Sequence, residues 1–321
     1  MTRVAVTGAT GFVAKHLINR LIDDGIDVTA ISRKGTGRNN IQDVAVDFGD
    51  IDILRSALKN IDIVIHLAAR AHCSNEIGNI NEIEARYHQA NTLITETLAA
   101  AAKLEGVHCF ILISSIGVNG NQTYGKAFST EDIPNPNGPY AKSKWLAEKS
   151  LEKVLEGSKT DYVILRSPLV YGPDCPGNFK RLLNLTYRFP LLPLGRLGSP
   201  RTFINVHNLV DAIVVASKAK NISGRTFLIS DSCDLNISTI LKLISKGFGR
   251  GGWRIFNFPP TLLEVFAKLS GRSKAWEKLT ASLEVDSSDF RIATGWNPPV
   301  DSVIGVLEMA EWFLSKKKAL S

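Results

Sequence analysis

A tyrosine stands four residues before a lysine in the stretch Gly138-Pro139-Tyr140-Ala141-Lys142-Ser143-Lys144. Residues four apart share one face of a helix, so this spacing can bring a phenol and an ammonium into the same cleft. A free phenol titrates near about 10 and is a weak base at neutral pH. A neighbouring cation favours the phenolate and lowers that pKa, which suits the pair to moving a proton to or from an oxygen. A purely structural account also exists. Gly-Pro opens a helix with proline in its first turn, Tyr140 packs, and Lys142, Lys144 and Lys149 face water. The elements around the pair decide between the two.

The first half of the chain alternates short β-branched runs with helical patterns. Val4–Thr7, Val28–Ser32, Val44–Asp47, Ile61–His66, Cys109–Ser114 and Tyr162–Arg166 read as strands. They are almost wholly apolar rather than alternating, as strands covered on both faces of a parallel sheet should be. Helices are expected at about 12–24, 51–59, 82–104 and 138–156, and this βαβα order predicts an α/β fold with a doubly wound parallel Rossmann sheet. Residues 1–170 form the dinucleotide-binding domain in this reading. Prolines 168, 173, 176, 190, 193 and 200 then break the pattern. A helix near 207–219 and a strand at Thr226–Ile229 return 203–230 to the sheet. Residues 171–202 and 231–321 make a smaller, mostly helical lobe over the carboxyl ends of the strands, where open α/β sheets bind ligands.

Directly after the first strand, Gly8-Ala9-Thr10-Gly11-Phe12-Val13-Ala14 places small residues at 8, 11 and 14. Such a strand-to-helix turn lets a pyrophosphate approach the backbone and the free N–H groups of the helix start. A ligand-free glycine turn would look similar in isolation, but its position between a buried strand and a helix favours a dinucleotide. The second strand ends Ser32-Arg33-Lys34 with no carboxylate to bind a ribose 2′-hydroxyl, so NADP(H) is expected over NAD(H), with NAD(H) possible.

The bulk properties exclude several classes. With 44% hydrophobic and 21% charged residues the chain is globular, and no apolar run is long enough to span a membrane. Met1–Gly8 enters a strand at once and lacks a signal-peptide core, from which a cytoplasmic location is expected. The four cysteines form no CxxC pair, and no metal site is expected. The net charge of +7 suits anionic partners, yet no basic run with interleaved aromatics points to nucleic acid.

The ordered set "TGATGFVA" (7–14), "VDFGD" (46–50), "DIVIHLAA" (62–69), Asn91, "SS" (114–115), "YAKSK" (140–144), "LRSPLVYGP" (165–173), "RTFINVHNLVDAI" (201–213) and "TGWNP" (294–298) resembles the extended short-chain dehydrogenase/reductase family of nucleotide-sugar epimerases, dehydratases and ketoreductases. "HLAARAH", "SSIGVNG" and "PLVYGPDCPGNFKRLL" resemble its sugar 4-ketoreductases and 4-epimerases of surface-polysaccharide pathways. The resemblance implies Ser115, Tyr140 and Lys144 as the catalytic set. It implies that Gly8, Thr10, Gly11, Phe12 and Val13 cradle the cofactor, that Asp47 and Phe48 meet its adenine, and that Leu67, Ala68, Ala69 and Asn91 line it. Pro168 and Val170 would lie near the nicotinamide, while Ser115, Asn178 and Arg201 would hold substrate, with Arg272 a candidate second phosphate-binding arginine. Residues 118–120 read Val-Asn-Gly where many members have Val-Tyr-Gly.

The function expected from this is NADPH-dependent reduction of a UDP-4-keto-(6-deoxy)hexose for surface-polysaccharide synthesis. A UDP-hexose 4-epimerase with bound NAD is the alternative, and a non-catalytic dinucleotide sensor a distant one. A homodimer through the helices near 82–104 and 138–156 is expected as in relatives, although Ala99–Ala102 would serve internal packing equally well. His66 reads as a packed, hydrogen-bonded residue, His207 as part of a helix start, and His72-Cys73 as a loop pair able to touch substrate.

Overall fold

A computed structural model describes residues 2–71 and 76–319; His72 and Cys73 lie outside the described residues. In chain order the first half comprises β1 (Arg3–Thr7), α1 (Phe12–Asp23), β2 (Asp27–Ser32), β3 (Gln42–Ala45), α2 (Ile51–Leu58), β4 (Ile63–His66) and α3 (Ile80–Tyr87). A π-helical turn at His88–Leu93 joins α3 to α4 (Ile94–Glu105), followed by β5 (Cys109–Ser115), a 3₁₀ turn at Ile116–Val118, α5 (Pro139–Leu155) and β6 (Asp161–Ser167). Then come β7 (Leu169–Tyr171), α6 (Gly177–Arg188), β8 (Phe203–Asn205), α7 (Val206–Lys218) and β9 (Arg225–Leu228). The chain continues through α8 (Ile237–Gly247), α9 (Pro260–Leu269), α10 (Ser273–Thr280), α11 (Ser288–Thr294) and α12 (Ser302–Lys318).

Seven strands form one sheet in the order β3-β2-β1-β4-β5-β6-β9, all pairs parallel. The order reverses direction at β1, which creates the crevice at the carboxyl ends where such sheets take ligands. Both faces are covered, as the apolar strands predict. α1 and α7 bury Leu17, Ile18, Leu209 and Ile213 on one face, and α2 and α4 bury Leu54, Leu58, Leu98 and Ala102 on the other. Ala99, Ala101 and Ala102 are fully buried inside the chain, so these alanines serve internal packing.

The proline-rich segment conceals two elements. β7 pairs in parallel with β8 to make a second, two-stranded sheet, and α6 lies between them in sequence. This sheet carries the lobe's own core, in which Tyr171, Phe179, Leu183, Ile240, Ile244, Met309 and Phe313 meet. Residues 231–321 do not all belong to that core, because Phe290 on α11 and the following Trp296 pack with Phe227 against the main sheet. Asp231 ties the two bodies together. It accepts hydrogen bonds from Tyr171 Oη (2.8 Å), Asn208 Nδ2 (2.7 Å) and the Asn205 backbone N–H (2.9 Å). Burial raises the pKa of this carboxyl, and those bonds oppose the rise.

Candidate active site

Gly8 adopts a left-handed conformation (φ 68°), and a Cβ there would stand 2.7 Å from the Ala68 backbone. Only glycine fits, and β1 can therefore turn tightly against the chain leaving β4. At Gly11 the Cβ of another residue would lie 3.0 Å from the Gly8 carbonyl oxygen. The α1 helix that follows has no side-chain cap and no acidic residue in its first turn, so its orphan N–H groups face an open, electropositive position. At the end of β2, Ser32 Oγ is buried without a hydrogen-bond partner, while Arg33 and Lys34 are exposed beside it. A glycine cradle, an uncapped helix start and an unpartnered hydroxyl fit a bound dinucleotide. Asp47, whose Oδ1 accepts from Gly49 N–H, is exposed, whereas Phe48 is buried in the core beneath it.

A chain of hydrogen bonds fixes the floor of the crevice. Thr95 donates to the Asn91 carbonyl (2.6 Å) and therefore accepts from His66 Nε2 (3.0 Å). His66 Nδ1 then accepts from Thr7 Oγ1 (2.7 Å), which accepts in turn from Ala68 N–H (3.3 Å). His66 is consequently a neutral, packed histidine; burial and nearby Lys144 push its pKa down to about 3. Asn91 sits in the π-helical turn and is buried. Its Oδ1 accepts from Arg70 N–H (2.7 Å), and its Nδ2 donates to the Arg70 carbonyl (3.2 Å) and Ser143 Oγ (2.9 Å). The Asn91 amide is thus committed to holding the Leu67–Arg70 loop against α5. That is a positioning task, reached through the loop that carries Leu67, Ala68 and Ala69.

Tyr140 and Lys144 occupy the first two turns of α5, where Pro139 is at the helix start. Ser115 closes β5 and caps the 3₁₀ turn by accepting from Gly117 N–H (3.1 Å). The Ser115 hydroxyl is a hydrogen-bond partner of the Tyr140 phenol at the carboxyl end of β5, and Lys144 follows one turn later on α5. Burial, with a smaller contribution from Tyr87, raises the phenol's pKa, and Ser115 opposes that rise. The expectation from the spacing alone is the opposite sign. In the protein by itself, desolvation outweighs the Ser115 hydrogen bond. Lys144 is 2% exposed. Burial pulls its pKa down to about 8 against the pull of the Glu148 carboxylate, one helical turn further on.

Behind these residues lies an ion pair absent from the sequence reading. Arg166 donates to both Glu148 oxygens (3.0 and 2.7 Å), and their side chains are 6% and 1% exposed. Ser114 donates to the same carboxylate, and Arg166 donates to Asn119 Oδ1 (2.9 Å). Asn119 is the departure in Val-Asn-Gly. It is buried and also donates to the Ser129 carbonyl (3.0 Å), which makes it part of the scaffold beneath Ser115. The signal for this network was a lone arginine inside an apolar strand, since a buried charge requires a partner.

After β6, Pro168 is buried and Val170, half-buried on β7, packs against the core of the main sheet. Asn178 is exposed in the first turn of α6. Arg201 precedes β8 and is half-buried; its Nη1 donates to the Ala281 carbonyl (3.1 Å), and burial lowers its pKa. Arg272 is exposed at the start of α10. No group of three or more candidate metal ligands occurs among the described residues, and none of the described helices is long and apolar enough to cross a membrane.

A parallel sheet with a glycine cradle at its first crossover and a serine–tyrosine–lysine cluster at its carboxyl edge defines a dinucleotide-dependent Rossmann enzyme. Residues 4–230 match the family model described as the NAD dependent epimerase/dehydratase family, and the chain belongs to that family of nucleotide-sugar enzymes. It is 33% identical to UDP-glucose 4-epimerase of Vibrio cholerae over 97% of this chain and 95% of that protein. Its fold matches the crystal structure of UDP-glucose 4-epimerase with UDP-glucose from Thermotoga maritima (TM-score 0.79, 21% identity, 100% of both chains). It also matches UDP-glucuronic acid 4-epimerase from Bacillus cereus in complex with NAD (TM-score 0.78, 24% identity, 99% of both chains).

Proposed function

We propose that the protein acts at C4 of a UDP-hexose as a 4-epimerase, with Ser115, Tyr140 and Lys144 as its catalytic residues. The observation that carries this reading is the hydrogen bond between Ser115 and the Tyr140 phenol at the end of β5, with buried Lys144 one turn further along α5. The 33% identity to the Vibrio cholerae UDP-glucose 4-epimerase along nearly the whole of both chains supports the epimerase outcome. A nicotinamide dinucleotide, when bound, supplies and accepts hydride. Gly8, Thr10, Gly11, Phe12 and Val13 hold its phosphates, Asp47 and Phe48 its adenine end, and Pro168 and Val170 its nicotinamide end. Tyr140 takes the proton from the C4 hydroxyl and returns it to the C4 oxygen of the other epimer, while Ser115 holds that oxygen. Ser115 opposes the desolvation that raises the phenol's pKa, and Lys144, one turn along the same helix as Tyr140, supplies the positive charge that favours the phenolate during turnover. Arg201 and Asn178 reach the sugar nucleotide's pyrophosphate from the lobe.

A second reading rests on one local observation. The end of β2 carries Ser32, Arg33 and Lys34 and no carboxylate, which suits a 2′-phosphate and exchangeable NADPH. The same residues would then reduce a UDP-4-keto-hexose, donating the Tyr140 proton to the carbonyl oxygen. Mass spectrometry of the cofactor retained by the purified protein separates the two. Retained NAD with interconversion of UDP-glucose and UDP-galactose without added cofactor supports epimerisation. A protein that retains no NAD and consumes NADPH on a UDP-4-keto-hexose is the reductase. We also propose a homodimer in the cytoplasm, built on the outer faces of the helices α3–α4 and α5, where Leu93 and Leu146 are exposed. Sedimentation velocity of a Leu93→Glu/Leu146→Glu variant tests it.

A further inference from the structure

Helix α9 carries Leu262, Val265, Phe266 and Leu269 at i, i+3, i+4 and i+7, the stripe by which a helix ordinarily faces a core. Here the stripe faces solvent. Those side chains are 48, 51, 65 and 81% exposed, and no residue of α9 is buried. The chain entering α9 adds Trp253 (70% exposed) and Phe256 (40% exposed). This approach is held in place by pairing with the 192–195 segment through Leu192 N–H to Arg254 O (2.8 Å) and Gly195 N–H to Phe256 O (2.9 Å). An apolar face of this composition marks an interaction surface.

Charge identifies the partner. Between residues 242 and 278 the sequence has eight lysines and arginines against two glutamates, so this one segment carries +6 of the whole chain's +7. Lys242 and Lys246 are exposed on α8, which packs against the turn bearing Trp253. Arg254 stacks over the Trp253 ring at 5.5 Å, and at the far end of α9 lie exposed Arg272 and Lys268, the latter paired with Glu264 one turn earlier (2.7 Å). A two-fold contact would set this cationic face against its own copy, which like charges oppose. Apolar and aromatic side chains flanked by lysine and arginine are the composition of a helix lying in the interface of an anionic bilayer.

We propose that the face formed by α9 and the Trp253–Phe256 approach docks the protein on the surface of a membrane containing anionic phospholipid. The apolar stripe enters the headgroup boundary and the surrounding cations meet lipid phosphates. The inference is independent of the reaction proposed above.

The test is co-sedimentation of the full chain with vesicles of phosphatidylglycerol and phosphatidylethanolamine, and with vesicles of phosphatidylcholine alone. Binding to the anionic vesicles, weakened by salt and by the phosphatidylcholine composition, is expected. A Phe266→Ser/Leu269→Ser variant should lose that binding while keeping its thermal midpoint and circular dichroism, because neither side chain is buried. Lys268→Glu/Arg272→Glu should weaken it and shift the salt dependence. Absence of binding to anionic vesicles at low salt overturns the proposal, whether the face then proves to pair two copies in sedimentation velocity or to hold an acidic protein. Undiminished binding of the serine variant also overturns it.

Discussion

Phe110 on β5 is fully buried among Leu54, Leu98 and Ile164, while Phe266 on α9 stands 65% exposed. The contrast extends to the regions around them. In the dinucleotide half, strands and helices bury their apolar faces against one another, and polar groups under the site are joined partner to partner from Ala68 to Asn91. In the lobe, α6, α8 and α12 build a core of their own, and α9 turns its apolar stripe away from it. The same periodic pattern thus has two meanings. It marks a core where the fold provides a facing surface, and a docking face where it provides none.

Each prediction sharpens or breaks that contrast. Tyr140→Phe removes the proposed proton donor and should cut turnover ~10²–10⁴-fold with dinucleotide affinity unchanged, as read by steady-state kinetics beside a binding titration. Full activity would strip the dinucleotide half of its assigned chemistry. Glu148→Ala leaves Arg166 buried without its carboxylate and should cost about 3–5 kcal/mol in urea unfolding. Phe110→Ala should cost a similar ~3–5 kcal/mol.

A smaller effect concerns pH. The folded pKa of Lys144, about 8, lies below the ordinary lysine value of 10.5, so the unfolded chain binds more protons between those limits. Stability should therefore gain from this group as pH rises from about 8 to about 10, and the burial cost is fully present below that window. Lys144→Met should lack this rise when the two proteins are compared by unfolding at each pH. The smallest effect belongs to Phe266→Ala, within about 0.5 kcal/mol of the parent in the same experiment. A loss like that of Phe110→Ala would place α9 in the core and end the contrast.

The sequence made the first half readable because its strands are continuously apolar and its glycines stand where a backbone conformation needs them. Val28–Ser32, Cys109–Ser114 and the helix from 138 all appear within a residue or two of their expected ends. The small sheet was not legible. Leu169–Tyr171 and Phe203–Asn205 are three residues each, too short for a period, and their pairing depends on contacts across 34 positions of chain. The α6 helix was hidden by the prolines on either side. At the site, residue identity pointed to Ser115, Tyr140 and Lys144 as candidates through a family resemblance and helix spacing. The direction of the Tyr140 shift was not legible, since it depends on desolvation rather than spacing. Glu148, Arg166 and Asn119 come from a helix, a strand and a loop and become one network only in three dimensions.

The wide turn at His88–Leu93 has a mechanical consequence. Each residue of a regular helix advances the next by about 100°. An insertion that is absorbed in one broadened turn therefore re-aims the side chains between α3 and α4. Asn91 gains its inward direction from that surplus. Excising a single residue there would restore an ordinary spiral and swing the latch on Arg70 out of line, although neither flanking cylinder would lose its own ladder of bonds.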